Sequence, residues 1–118
     1  MITAISNARI FDGERVIDDR TIVINGEHII SVGGVVPSGA AVINAHGATF
    51  MPGLIDSHVH TDLDDLHDAL LFGVTTELEM NGRWSHRERK EIAVRDDIAD
   101  LRSSGMGITP KGGIRLNI

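Results

Sequence analysis

The fold and the chemistry of this chain are indicated most directly by one stretch, Met51-Pro52-Gly53-Leu54-Ile55-Asp56-Ser57-His58-Val59-His60. Pro-Gly comes near its start, an apolar run follows, and two histidines two positions apart end it. In an extended strand, residues i and i+2 point to the same face, so His58 and His60 are expected to present two imidazoles side by side. Imidazole is a common ligand of divalent metal ions. The pair therefore indicates half of a metal site.

The residues that follow this stretch predict strands that alternate with helices. The predicted elements are a strand at 54–60, a helix at 62–72, a strand at 74–80, a helix from Ser85 through 102 and a strand at 106–109. Acidic residues suit the first turn of the earlier helix, and Gly73 is a stop signal at its end. Ser85 and Glu88 have the spacing of a capping box at the start of the later helix. This alternation is typical of a parallel sheet with crossover helices.

The residues before Pro52 have a different character, with short strands broken by turns. Asn25-Gly26 between two apolar segments is a strong hairpin signal. Several short strands at close spacing predict a small antiparallel sheet or part of a sandwich. We therefore expect an α/β chain of two parts, residues 1–52 as a half of a β-sandwich and residues 53–118 as a β/α region.

The composition excludes several classes of function. The 118 residues carry a net charge of −6, which disfavours a general attraction to nucleic acid or to an anionic membrane. No cysteine is present, so a metal ion would need histidine or carboxylate ligands. No apolar run approaches the roughly 20 residues of a membrane span. The N-terminus has no leader-like pattern, and a cytoplasmic location is the default expectation.

Together these segments resemble the N-terminal portion of a metal-dependent amidohydrolase of the imidazolonepropionase or dipeptidase-like kind. The matching segments are Asn7–Gly13, Ile22–Gly33, Ala45–Thr49, Met51–His60 and Gly73–Thr76. The Pro-Gly-Leu-Ile-Asp-x-His-x-His pattern is specific in this context, whereas a bare His-x-His would match by accident. The resemblance covers roughly residues 1–110.

The resemblance implies a small β-sandwich joined to a (β/α)8 TIM barrel, of which this chain would hold the first two to three β/α units. His58 and His60 would be metal ligands, because the active sites of such barrels lie at the C-terminal ends of the strands. The implied cofactor is one or two divalent ions, typically zinc. Asp56 would orient a histidine, or would accept backbone hydrogen bonds at the barrel floor. Glu79 is a candidate for lining the pocket, although Glu77 and Leu78 depart from the apolar residue and arginine that are common in the family.

The implied reaction is hydrolysis of a carbon–nitrogen bond in a small-molecule amide, non-peptide or dipeptide, by a metal-activated water. No catalytic residue is identifiable in this chain, and a complete barrel takes about 250 residues. We therefore expect a truncated N-terminal fragment, incomplete and inactive alone, and whether the chain itself is an enzyme stays open. The alternative is a non-catalytic remnant that forms a homo-oligomer or complements another chain, because an open sheet exposes unpaired edges.

Overall fold

The computed structural model describes residues 1–17 and 20–107, which form a mixed α/β structure with more strand than helix. The chain divides into two compact units, Met1–Pro52 and Gly53–Ile118. Among the described residues, no helix has both the length and the apolar character needed to cross a membrane.

The first unit contains seven short strands among its described residues. They are β1 (Ile2–Ser6), β2 (Arg9–Phe11), β3 (Val16–Ile17), β4 (Ile22–Asn25), β5 (His28–Val32), β6 (Ala41–Asn44) and β7 (Thr49–Phe50). One sheet has the order β5-β4-β1-β6, and a smaller sheet has the order β3-β2-β7. The buried residues Ala8, Ile10 and Ile22 form the centre of an apolar cluster in this unit.

The antiparallel pairing that the sequence predicts for the N-terminal region is present only in part. The hairpin of β4 and β5 forms as predicted, with Asn25 opposite His28 and Gly26 at a φ of 60° in the turn. However, β1 pairs with β6 in parallel, and β2 pairs with β7 in parallel. A tight turn can join only antiparallel strands, whereas these two pairs are joined by long connections that return the chain in the same direction.

The second unit contains a three-stranded parallel sheet with two helices. Its elements are β8 (Leu54–Val59), α1 (Leu63–Leu71), β9 (Val74–Glu79), α2 (His86–Ile92) and β10 (Asp100–Ser103). The sheet order is β10-β9-β8. The strand-helix-strand series predicted from the sequence is therefore present. Its apolar core consists of five buried residues, Leu66, Ile92, Ile98, Ala99 and Leu101.

Both helices begin at a capping residue, and the cap of α2 is the predicted Ser85. The Asp62 carboxylate accepts hydrogen bonds from the backbone nitrogens of Asp64 and Asp65 at 2.9 and 3.1 Å. At α2, the Ser85 hydroxyl accepts from the backbone nitrogen of Glu88 at 3.2 Å, and the Glu88 carboxylate accepts from the backbone nitrogen of Ser85 at 2.8 Å. These reciprocal bonds satisfy donors that would otherwise lack partners at the helix start.

The later part of the second unit differs from the prediction. The helix that begins at Ser85 ends at Ile92 rather than continuing through residue 102, and the third strand is Asp100–Ser103 rather than 106–109. Val94 is 84% exposed, so the apolar face of a helix is interrupted there. Met106 and Gly107 lie outside any strand, and residues 108–109 lie outside the described part of the chain.

Candidate functional site

His58 and His60 lie at the C-terminal end of β8 and flank Val59. Their ring centroids are 6.0 Å apart and the ring planes are nearly perpendicular, at 89°. Both side chains are exposed, whereas Val59 is half-buried. The backbone nitrogen of Met80 donates to the Val59 carbonyl at 2.9 Å, which ties this end of β8 to the end of β9.

The two imidazoles have the chemistry of a partial metal site. Within the described residues, neither ring takes part in a side-chain hydrogen bond, so a nitrogen lone pair on each remains available. Two nitrogen ligands supply half of the four-coordinate shell that zinc prefers. Across residues 1–17 and 20–107, no three His, Asp, Glu or Cys side chains come together as a metal-binding group. The donor set present therefore fits two positions of a metal shell.

The Asp56 carboxylate contacts the backbone of His58 and does not contact an imidazole ring. Its Oδ1 accepts a hydrogen bond from the backbone nitrogen of His58 at 3.2 Å. The register between β8 and β9 also shifts between Asp56 and Val59, where Asp56 pairs with Glu77 and Val59 pairs with Glu79. Simple alternation along β8 would place Asp56 on the face of the two histidines, but this irregularity interrupts the alternation.

Glu77 and Glu79 are buried carboxylates on one face of β9. They are 6% and 2% exposed. Glu77 pairs across the sheet with Leu101, which is part of the apolar core, so the two glutamates lie on the side of the sheet that carries this core. The Glu79 carboxylate accepts a hydrogen bond from the Ser103 hydroxyl at 2.7 Å. One carboxylate oxygen of Glu77 is buried and has no hydrogen-bond partner in the structure as described.

A cavity of about 410 Å³ lies at the C-terminal ends of the strands, beside His60. Glu79 and the segment Asn81–Trp84 contribute to its wall, together with Glu88 at the start of α2. The Ser85 hydroxyl, followed by the Ser85 backbone, holds the pKa of Glu88 below its ordinary value of 4.5 by hydrogen bonding. The Glu88 carboxylate is therefore charged at neutral pH and is already engaged in capping α2.

Two residues of this site were not anticipated from the sequence. The sequence predicts a helix through residue 102, just before Ser103, and no pattern singles out Gly82. A correct assignment of β10 would have found Ser103, because it lies at the C-terminal end of a strand, where barrel-type sites are built. Trp84 packs against the apolar core, and it also lines the cavity.

Comparison with known proteins relates this arrangement to one superfamily. No protein-family model and no curated protein sequence matches the chain. Among solved structures, an amidohydrolase matches with a TM-score of 0.79 and 23% identity, over 96% of this chain and 33% of that protein. A prolidase complexed with N-methylphosphonate-L-proline matches with a TM-score of 0.76 and 26% identity, over 96% of this chain and 34% of that protein. D-hydantoinase from Bacillus sp. AR9 matches with a TM-score of 0.60 and 21% identity, over 70% of this chain and 20% of that protein.

The chain therefore has a fold found within amidohydrolase-superfamily proteins, and the resemblance to the N-terminal portion of such a protein is confirmed. The chain spans about a third of the length of the amidohydrolase and of the prolidase.

Proposed function

We propose that this chain contributes the first-strand metal ligands of an amidohydrolase-type site, with His58 and His60 as those ligands. The observation that carries the proposal is the pair of exposed imidazoles at the C-terminal end of β8, the first strand of a parallel β/α series. In this proposal β8, β9 and β10 correspond to the first strands of a (β/α)8 barrel. The general rule for such barrels puts ligand-binding side chains at this end of the strands.

The proposed reaction is hydrolysis of a carbon–nitrogen bond in a small amide. A divalent ion, zinc in our proposal, would polarise water and the scissile carbonyl when bound. The contribution of this chain is to hold the metal through two neutral imidazoles, while Asp56 accepts from the backbone nitrogen of His58 and restrains the strand end that carries the ligands. Glu79 and Trp84 contribute to the wall of the adjacent cavity.

The remaining ligands and the catalytic groups would come from outside the described residues. Two imidazoles leave a zinc shell incomplete, because catalytic zinc normally has three protein ligands. We therefore propose that the 118-residue chain alone is inactive as a hydrolase and binds the metal weakly.

A titration of the purified chain with Zn²⁺ tests the proposal. The ring Cε1–H resonances of the histidines in NMR spectra would report weak binding at each side chain. We expect Zn²⁺ to shift the resonances of His58 and His60 and to leave His67 on α1 largely unaffected. His58→Ala should abolish the shift at His60, since one imidazole alone binds weakly.

The matched control for that variant is His67→Ala, which removes an exposed histidine of the same unit. Its Zn²⁺ response at His58 and His60 should equal that of the unmodified chain. Two results would contradict the proposed metal pair. One is an equal Zn²⁺-induced change in chemical shift at all the histidines, and the other is a His60 shift that persists in His58→Ala.

A second candidate function is favoured by the exposed apolar residues of β8. Leu54 and Ile55 are successive residues of this strand and are 50% and 64% exposed, so neither of its faces is covered in the described structure. Apolar surface on a strand with a free edge promotes association. The alternative proposal is therefore a chain that pairs with itself or with a complementary chain.

Size-exclusion chromatography of the same samples separates the two candidates. The association proposal predicts an apparent mass above that of one 12.8 kDa chain, with a shift toward the monomer in Ile55→Lys. A chain that elutes as a monomer at all concentrations and binds Zn²⁺ through His58 would leave the metal-site proposal alone.

A further inference from the structure

The buried carboxylate of Glu79 connects two segments that lie next to the cavity. It is 2% exposed and accepts a 2.7 Å hydrogen bond from the Ser103 hydroxyl at the end of β10. The Ser103 oxygen in turn accepts from the backbone nitrogen of Gly105 at 3.0 Å. Glu79 therefore holds the end of β10 and the turn that follows it through its hydrogen bond with Ser103.

The same carboxylate lies directly against the segment after β9. A Cβ atom at Gly82 would overlap the carboxylate group of Glu79. Gly82 has no positive φ, so the constraint at this position is the close approach and not the backbone conformation. Because Ser103 holds the carboxylate and the surroundings bury it, Glu79 cannot move aside easily. A side chain at position 82 would therefore have to displace the Glu79 carboxylate from Ser103.

Two further hydrogen bonds join the two segments. The backbone nitrogen of Asn81 donates to the Ser104 hydroxyl at 3.1 Å, and the Asn81 side-chain oxygen accepts from the backbone nitrogen of Gly107. The backbone nitrogen of Ser104 donates to the Glu79 carbonyl at 3.0 Å. The segment Asn81–Trp84 is thus fixed to the end of β10 on one side, and it lines the cavity beside His60 on the other.

We propose that Glu79 is a positioning residue: with Ser103 it fixes Asn81–Trp84 as the wall of the cavity beside His60. The wall carries Arg83 and Trp84, so their positions relative to the histidine depend on the Glu79–Ser103 bond. The role of this cavity as a substrate pocket rests on the proposed function. The positioning itself is tested without a metal ion and without turnover.

Trp84 gives a direct readout, since it is the sole tryptophan of the chain. In Glu79→Ala and in Ser103→Ala we expect its emission to shift to the red and acrylamide to quench it more strongly. Glu79→Gln should keep the original signal, because its side-chain carbonyl can still accept from the Ser103 hydroxyl. Glu77→Gln is the matched control, since it changes a buried glutamate on the same face of β9 that does not line the cavity.

A second readout follows the contact between the two segments. The amide of Asn81 should exchange with solvent about tenfold faster in Glu79→Ala and in Ser103→Ala, because loss of the Glu79–Ser103 hydrogen bond frees the two segments to separate locally. Neither variant changes Asn81 or its acceptor Ser104, so faster exchange would report loss of position and not loss of a partner. Far-UV circular dichroism establishes that each variant is folded.

If Glu79→Ala does not fold, Ser103→Ala carries the test. Unchanged Trp84 emission and unchanged Asn81 exchange in folded variants would overturn the inference. A Glu79→Gln variant that behaves like Glu79→Ala would also overturn it, since charge rather than the hydrogen bond would then hold the segment. Failure of the Zn²⁺ titration at His58 would refute the metal proposal and leave these outcomes unaffected.

Discussion

Replacing Glu77 by methionine should stabilise the second unit. Glu77 is 6% exposed, and one of its carboxylate oxygens is buried with no hydrogen-bond partner among the described residues. Its partner across the sheet is the buried residue Leu101. Methionine has a similar length and no polar atom that needs a donor, so it can occupy the same space beside this apolar neighbour.

The size of the effect follows from the cost of the unpaired oxygen. A buried acceptor without a partner costs about 1–3 kcal/mol, and a charged one costs more. Removing it should therefore raise the free energy of unfolding by about 1–3 kcal/mol. The same substitution at Glu79 should have the opposite sign, because it leaves the Ser103 hydroxyl without its acceptor and costs about 1.5–3 kcal/mol.

Urea denaturation followed by Trp84 fluorescence measures both variants. Trp84 packs against the core of the second unit, so its signal reports the unfolding of that unit. Glu77→Met and Glu79→Met change the same residue type on the same face of one strand and serve as controls for each other. Equal destabilisation by both substitutions would refute the reasoning, because it would show that the Glu77 carboxylate has a favourable partner after all.

Three further predictions concern the helices of the second unit. Leu66→Ala should lower the free energy of unfolding by about 2–5 kcal/mol, since Leu66 is fully buried, whereas Leu71→Ala on the same helix should stay within about 0.5 kcal/mol. Ser85→Ala should cost about 1 kcal/mol and reduce the helical signal, and an unchanged circular dichroism spectrum would argue against the cap. Hydrogen bonds to Ser85 lower the pKa of Glu88 in the folded state below its ordinary value of 4.5. The contribution of Glu88 to stability is therefore complete at pH values above 4.5, and it is lost as the pH falls through the folded-state pKa. That loss should be absent from a pH titration of Glu88→Gln.

The first half of the second unit could be predicted from the sequence because several local signals agree there. The apolar run of β8, the acidic residues in the first turn of α1 and Gly73 after that helix point to the same boundaries, and Gly73 has the left-handed φ of 88° expected of a helix stop. His58 and His60 follow directly from the position of β8, since their spacing places both imidazoles at one strand end.

The end of α2 could not be predicted because its apolar residues fit two periods. Val94, Ile98 and Leu101 are separated by four and three residues, which suits a helix, although Ile98 and Leu101 are buried in a turn and a strand. Val94 distinguishes the two arrangements, because it is exposed. The exposure of a residue cannot be read from its type. The wrong assignment also hid Ser103, because a residue that directly follows a helix would not lie at a strand end.

The contrast between Glu77 and Glu79 shows what local sequence lacks at the candidate site. Both are glutamates, both are buried, and their spacing of two puts them on one face of β9. Their difference comes from β10, which places Leu101 opposite Glu77 and Ser103 opposite Glu79. A partner that can donate a hydrogen bond turns a buried carboxylate into an anchor, and an apolar partner leaves it as a cost to stability. The role of each glutamate is therefore set by pairing between strands, so it could be assigned only after the register of β9 and β10 was known.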